Sequence, residues 1–386
     1  MNRVLKRIVL IILAVITAIP LYIVLSGNTY MFFMLKHTVL QGRLGPTINE
    51  HVYYPNNVVE ASKMPFVWPT AMDYNTHILS EEDEEYHQKY QSVAFLVIHK
   101  DSLVHEQYWD GTSDTSRTNS WSMVKSMVGH LTGCALKDGF IDDIDDPIGK
   151  YVKEYEGDTV TIRNLLTMSS GYDFYESYIN PYGFTARALY GDDLKSVLAR
   201  YELKDPSGQA FNYKSGNTQL LSMVVSNAVG KSISAYASEK LWKPIGAKRD
   251  ALWSTDEQGL EIGFCCLNTN ARDYAKFGRL YLNGGVVGQD TLVEPWYYKL
   301  ITKPSEVPLE TGAPNDRYGY HWWCSRYEGE NFFYAHGING QYILILPDSD
   351  LIVVRLGQKR PSERLNGQPV DIYEYIRMAK QMVSDM

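Results

Sequence analysis

Apolar residues follow three different rhythms along this chain. The first is an unbroken run from Ile8 to Leu25, relieved only by Thr17, Pro20 and Tyr22. Read as a helix, residues 8–25 rise about 27 Å at ~1.5 Å each, close to the thickness of a hydrocarbon core. Arg3, Lys6 and Arg7 precede the run, and only Lys36 follows soon after it. That asymmetry predicts a cytoplasmic N-terminus with the rest of the chain outside. Tyr22, Tyr30, Phe32 and Phe33 suit the far interface. No A-x-A cleavage site ends the run, so an uncleaved single-pass anchor over 1–27 is the favoured reading, with secretion after signal cleavage as its alternative.

The second rhythm belongs to strands and occurs near both ends of the remaining chain. V-A-F-L-V-I-H-K (93–100) is a buried strand. After a tight turn, D-S-L-V-H-E-Q-Y-W (101–109) alternates at Leu103, His105, Gln107 and Trp109, which makes a hairpin and puts His99 and His105 on a strand surface. Past residue 315 strands return in Y-G-Y-H-W-W, N-F-F-Y-A-H-G, Q-Y-I-L-I-L-P and L-I-V-V-R-L, the last two joined by the turn P-D-S-D. A helix closes the chain from about 370.

The third rhythm is helical and fills the middle. T-V-T-I-R-N-L-L-T-M-S-S-G, N-T-Q-L-L-S-M-V-V-S-N-A-V-G and S-A-Y-A-S-E-K-L-W-K-P each begin or form a helix, and Thr269 to Leu282 is amphipathic, stopped by Asn283-Gly284-Gly285. Residues 28–90 form a proline-broken connector and lead-in, ending in S-E-E-D-E-E-Y, where Ser80 can cap a helix. These patterns predict an α/β (α+β) fold over 91–386. Its antiparallel sheet is built from both ends of the domain and flanked by helices, and a mostly helical subdomain over about 116–250 is inserted between them.

Composition removes some functions. The 386 residues are 45% hydrophobic and 21% charged, which is globular, and a net charge of −8 gives no footprint for nucleic acid. No H-E-x-x-H or C-x-x-C occurs, and the aspartates of D-G-F-I-D-D-I-D-D-P lack calcium-loop order, so no metal or cofactor is expected. Among Cys134, Cys265, Cys266 and Cys324, the adjacent pair reads as buried and apolar rather than as ligands, and disulfide pairing stays open. The oligomeric state is not encoded in any pattern.

One motif offers chemistry. Ser122-Met123-Val124-Lys125 places a serine and a lysine at i and i+3, on one helix face. A serine hydroxyl is a weak nucleophile until a neighbouring base takes its proton. A lysine can be that base if burial lowers its pKa, and Trp121, Met123, Val124, Met127 and Val128 supply the burial. Tyr213 stands in F-N-Y-K-S-G-N-T, just before a helix, where its phenol can relay a proton. In A-H-G-I-N-G-Q-Y, glycine allows backbone to approach a substrate, and an N–H there can meet an oxyanion together with that of Ser122.

S-M-V-K, Y-K-S-G-N and H-G-I-N-G-Q, in this order, resemble the three sequence blocks of the serine β-lactamase and penicillin-binding-protein superfamily. The resemblance is best to class C-like esterases and the 6-aminohexanoate-dimer hydrolase type. I-D-D-P-I-G-K-Y, L-L-T-M-S-S-G-Y and G-Q-Y-I-L-I-L-P support it over roughly residues 90–386. It implies a β-lactamase/transpeptidase-like fold, Ser122 as the acylated nucleophile, Lys125 hydrogen-bonded to it, and Tyr213 as the second-block tyrosine. It places His336-Gly337 where many relatives have K-T-G, and Ile338 as the second oxyanion donor. Tyr178 aligns with a tyrosine that contacts a substrate amide; Trp323 and Asn339 are further candidates for substrate binding.

The third block departs from the pattern, because no lysine is present to meet a substrate carboxylate, and His336 replaces it only when protonated or by hydrogen bonding. The expectation is therefore a membrane-anchored serine hydrolase cleaving a small-molecule ester or amide. The alternatives are a penicillin-binding carboxypeptidase or β-lactamase, and a non-catalytic envelope-binding protein.

Overall fold

A computed structural model describes residues 3–43 and 45–384. Met1 and Asn2 of the expected anchor lie outside them, as do Leu44 and the last two residues of the expected domain, Asp385 and Met386. The described chain begins with α1 (Arg3–Leu25), α2 (Tyr30–His37), β1 (Asn56–Val59) and α3 (Glu81–Lys89). It continues through β2 (Ser92–His99), β3 (Ser102–Tyr108), β4 (Thr118–Asn119) and α4 (Val124–Lys137). The middle holds α5 (Ile162–Leu166), α6 (Phe184–Tyr190), α7 (Leu194–Leu198), α8 (Ser215–Val229) and α9 (Ile233–Ala237). Then come β5 (Ala251–Ser254), β6 (Leu267–Thr269), α10 (Ala271–Leu282), a small β7–β8 hairpin (Val286–Val287, Asp290–Thr291) and α11 (Pro295–Ile301). The last part is β9 (Trp323–Tyr327), β10 (Glu330–Gly337), β11 (Gln341–Leu346), β12 (Leu351–Gly357), the pair β13–β14 (Arg364–Leu365, Gln368–Pro369) and α12 (Asp371–Val383).

The two ends of the domain do build one antiparallel sheet, in the order β3-β2-β12-β11-β10-β9. Its central strands are mostly apolar on both sides because both faces are covered. Phe95, Val97, Leu344 and Val353 pack with Ile372, Tyr375 and Ile376 of α12. The alternate residues Leu96, Ile98, Ile343 and Ile352 turn to the other face, with Phe277 of α10. Each such side chain, fully buried, contributes about 1.5–3 kcal/mol. Helix α10 lies so close that a Cβ on Gly278 would meet Ile352 Cγ2 at 2.9 Å and Ile343 Cγ2 at 3.0 Å. It starts at Ala271, two residues later than the pattern suggested, because Asn270 is its cap and accepts from the Asp273 N–H. Ser80 caps α3 in the same way.

A second sheet, β1-β5-β6-β4, was not foreseen. Strand β1, from the proline-rich lead-in, pairs antiparallel with β5, and β4 leads directly into the S-x-x-K turn.

Two expectations are corrected. His105 is buried, not on the surface. A bulge in the β2–β3 pairing sets Val97 opposite His105 but Ile98 opposite Leu103, so the simple alternation breaks and His105 turns inward toward Phe95. The segment Y-G-Y-H-W-W is a loop up to Trp322, with His321 at φ 62°, and the strand begins only at Trp323. Tyr30 and Phe33, expected at the far interface, also make contacts within the protein. Tyr30 donates to the Pro181 carbonyl (2.7 Å), and Phe33 packs against His37 and Tyr54.

Candidate active site

The chain leaves β4 and turns sharply before Ser122. Trp121, buried, takes φ +46°, an uncommon conformation for a bulky residue. Its N–H donates to Asn119 Oδ1 (2.8 Å), and the Ser120 N–H donates to the Leu267 carbonyl (2.8 Å). One 3₁₀ turn, Trp121–Met123, then runs into the buried helix α4. Ser122 thus stands at the helix head, with Lys125 one turn on. Lys125 Nζ lies 2.9 Å from Ser122 Oγ and donates to the Phe264 carbonyl (2.8 Å). The amine is buried beside the rings of Phe264 and Tyr213, and burial pushes its pKa down to about 7, against the opposing pull of Glu176.

Tyr213 comes from the turn before α8, and its hydroxyl has Ser122 as side-chain partner. Burial raises the phenol above its usual pKa, so it stays protonated. Its ring is held by Trp323 (5.4 Å between centroids) and Tyr318 (5.9 Å). Trp323 is therefore the wall behind Tyr213. Glu176, which the sequence reading missed, accepts from both the N–H and the hydroxyl of Ser215 at 2.8 Å, fixing the start of α8. A lone carboxylate in F-Y-E-S-Y carries no spacing signal that could have revealed it. Tyr178 exposes much of its ring, while its hydroxyl lies near Glu176 and Ser215, and burial there lifts its pKa well above the ordinary value.

The third block meets the S-x-x-K turn edge on. A Cβ on Gly337 would fall 2.3 Å from the Ser120 carbonyl oxygen and 3.0 Å from Trp121 Cβ. Only glycine lets β10 run this close, and it brings Ile338 to the cavity that Ser122 also lines. Arg355, fully buried, braces the following turn from behind. Its Nη1 donates to the carbonyls of Asn339 and Gly340 (both 2.9 Å), its Nη2 to Tyr90 O (2.6 Å) and its Nε to Ser92 Oγ (3.0 Å). Asn339, at φ 63°, shapes this turn. His336 stacks on Tyr342 (5.1 Å), and its Nε2 is buried without a hydrogen-bond partner among the described residues. Burial, with Arg360, Arg364 and Lys125 adding repulsion, drives its pKa well below the ordinary value, so the imidazole is neutral.

The cavity at Ser122 has a volume of about 260 Å³. Its far wall comes from the loop 177–181 and from α6. Val39 and Pro46, from the segment after α2, close another side. Cys265, also in its lining, is disulfide-bonded to Cys266, which resolves the pairing that the sequence left open. The adjacent pair is buried, as expected.

A family model described as Beta-lactamase matches residues 77–372. The 6-aminohexanoate-dimer hydrolase of Paenarthrobacter ureafaciens is 28% identical over 283 residues, covering 68% of this chain and 71% of that protein. Among solved structures, one from Bacillus anthracis named for the same dimer hydrolase has a TM-score of 0.72 at 23% identity, covering 88% of this chain and 92% of its own. A penicillin-binding protein from Bacillus halodurans has a TM-score of 0.58 at 16% identity, covering 79% of this chain and 100% of its own. These structures share the fold.

Proposed function

The chain belongs to the beta-lactamase family and is a serine hydrolase of amidase and esterase type, and from that premise we propose that it works through an acyl-enzyme on Ser122. The observation that carries the reading is the 2.9 Å approach of Lys125 Nζ to Ser122 Oγ by an amine whose pKa is near 7. With its N–H committed to the Phe264 carbonyl, the neutral amine turns its lone pair to the serine proton. Ser122 Oγ attacks the acyl carbon, its proton passes to Lys125, and the carbonyl oxygen gains charge between the N–H groups of Ser122 and Ile338. Collapse breaks the bond to the leaving group, which takes a proton through Tyr213. Its raised pKa suits a donor rather than a base. Water then attacks the ester by the same path in reverse and releases the acid.

Glu176 is a positioning residue in this scheme, holding Ser215 and with it the turn that carries Tyr213. The neutral His336 gives no counter-charge to a carboxylate, which favours an uncharged ester or amide over an anionic β-lactam or cell-wall peptide. Helix α1 acts as the membrane anchor, with its basic end in the cytoplasm and the domain from about residue 91 outside. The Cys265–Cys266 disulfide is in keeping with an oxidising compartment. The test is labelling with a fluorescent fluorophosphonate: the label should appear on the peptide holding Ser122 and be lost in Ser122→Ala. Equal labelling of that variant would end the proposal.

A further inference from the structure

We infer that the substrate is an amphiphile drawn from the membrane surface: an ester or amide whose acyl part is a hydrocarbon chain, with its carbonyl at Ser122 and its chain along Val39 and Ile179. This inference rests on the serine-hydrolase reading and names the substrate class for that site.

The first ground is how α1 meets the domain. At 23 residues it is about 34 Å long, enough to cross a hydrocarbon core, and its mean hydropathy reaches 3.0 over its most apolar stretch. It is not joined through a loose linker. Ile23, in the last turn, is only 3% exposed, and Asn28 is buried with its Oδ1 accepting from Arg187 Nη1 (2.8 Å). The Tyr22 and Tyr182 hydroxyls are 3.2 Å apart, Tyr30 donates to the Pro181 carbonyl, and the Arg187 guanidinium lies over the Tyr30 ring (5.4 Å). The outer end of the spanning helix is therefore fastened to the segment 181–187. Pro181, Thr185 and Ala186 of that same segment line the catalytic cavity. The cavity and the point where the chain leaves the membrane share one wall.

The second ground is the chemistry of the cavity. None of its described lining residues is charged. A substrate carrying charge near its scissile bond would lose hydration there without a partner, whereas a hydrocarbon chain gains about 0.8 kcal/mol per buried CH₂. The volume of about 260 Å³ is below the usual ~300–1,000 Å³ of a pocket that encloses its ligand. It holds the carbonyl and the first carbons, and the rest must lie along the rim. That rim is apolar and open: Ile179 is 96% exposed and Val39 is 52% exposed, both in the lining. An apolar rim beside a membrane helix lies where acyl chains are available without crossing water.

The experiment uses the full chain reconstituted in phosphatidylcholine vesicles. Rates are measured with p-nitrophenyl acetate, p-nitrophenyl octanoate and 4-methylumbelliferyl palmitate dissolved in the bilayer. The expected kcat/KM for octanoate is at least tenfold that for acetate, and palmitate is cleaved far faster when it shares the protein's vesicles than when it is held in separate ones. Val39→Asp and Ile179→Asp should each lower the octanoate-to-acetate ratio at least fivefold, while Ile78→Asp, an exposed apolar residue outside the lining, should leave it unchanged. Equal rates for acetate and octanoate, or palmitate cleavage indifferent to vesicle sharing, overturn the inference; both are read on the wild-type chain, so a misfolded variant does not cloud them. Failure to cleave any ester, with no fluorophosphonate label on Ser122, overturns the hydrolase reading itself. Cleavage of acetate with no preference overturns only the substrate class.

Discussion

Gly337 and Ser120 are in direct backbone contact: a Cβ on the glycine would stand 2.3 Å from the serine's carbonyl oxygen. This contact sets the distance between β10 and the turn before Ser122, and so the gap between the two proposed oxyanion donors. Gly337→Ala must push the strand away. Because removing one such donor costs about 10²–10³-fold in turnover, kcat/KM for a short ester should fall by about 10²-fold. A variant within twofold of wild type would mean that the gap does not govern the reaction.

Lys125 and Tyr213 converge on the same oxygen and should act as a unit. Lys125→Ala and Tyr213→Phe should each cost about 10²-fold or more in kcat, since each removes a proton-transfer partner. The double variant should cost much less than the product of the two. Independent, multiplying losses would show that they serve separate steps.

The buried amine also predicts two pH effects. The base form of Lys125 grows as pH rises through about 7, so kcat/KM for a neutral ester should rise from pH 5.5 and level off above 8. Folding feels the same shift with a defined sign. An unfolded lysine keeps its proton up to ~10.4, whereas the native one releases it near 7. Between these values the unfolded chain binds more protons, so this group makes the fold more stable as pH climbs from about 7 toward 10, and least stable below 7. Lys125→Met removes the penalty. It should be inactive yet melt at least about 2 °C higher at pH 7 in scanning calorimetry. A lower melting temperature would contradict the account.

How much of this was readable beforehand depended on whether the signal was local. Strands covered on both faces, such as β11 and β12, announce themselves as apolar runs, and Ser122 and Lys125 sit at a spacing fixed by helix geometry. The bulge that buries His105 is a pairing event between two strands and leaves no mark in either one alone. Glu176 matters because it reaches Ser215, 39 residues away, and nothing in its own neighbourhood says so. The same holds for Val39 and Pro46, which read as connector and serve as cavity wall.

The fastening of α1 through Tyr22 to Tyr182, and of the residues just after it to Arg187 and Pro181, bears on topology. If α1 is retained as an anchor, protease added to intact spheroplasts should digest the catalytic domain, and the membrane fraction should hold the protein after a carbonate wash. Protection of the domain would place it in the cytoplasm, and release by carbonate would mean that α1 is not a spanning anchor.

The last prediction concerns His336. Its ring is buried against Tyr342, its Nε2 has no partner among the described residues, and the Arg360 and Arg364 guanidiniums lie in electrostatic reach, so it stays neutral through the physiological range. A neutral imidazole offers no charge to the carboxylate of a β-lactam. The wild-type chain should therefore cleave p-nitrophenyl esters with a higher kcat/KM than nitrocefin. His336→Lys supplies an ammonium that can pair with the carboxylate once substrate arrives, and it should move the ratio toward nitrocefin by about tenfold. Burying that ammonium beside Arg360 and Arg364 carries a stability cost, so the same variant should melt lower, and its melting temperature should recover when an anionic β-lactam is bound. A wild-type preference for nitrocefin would show that another group meets the carboxylate, and the carboxypeptidase or lactamase reading would then take the lead.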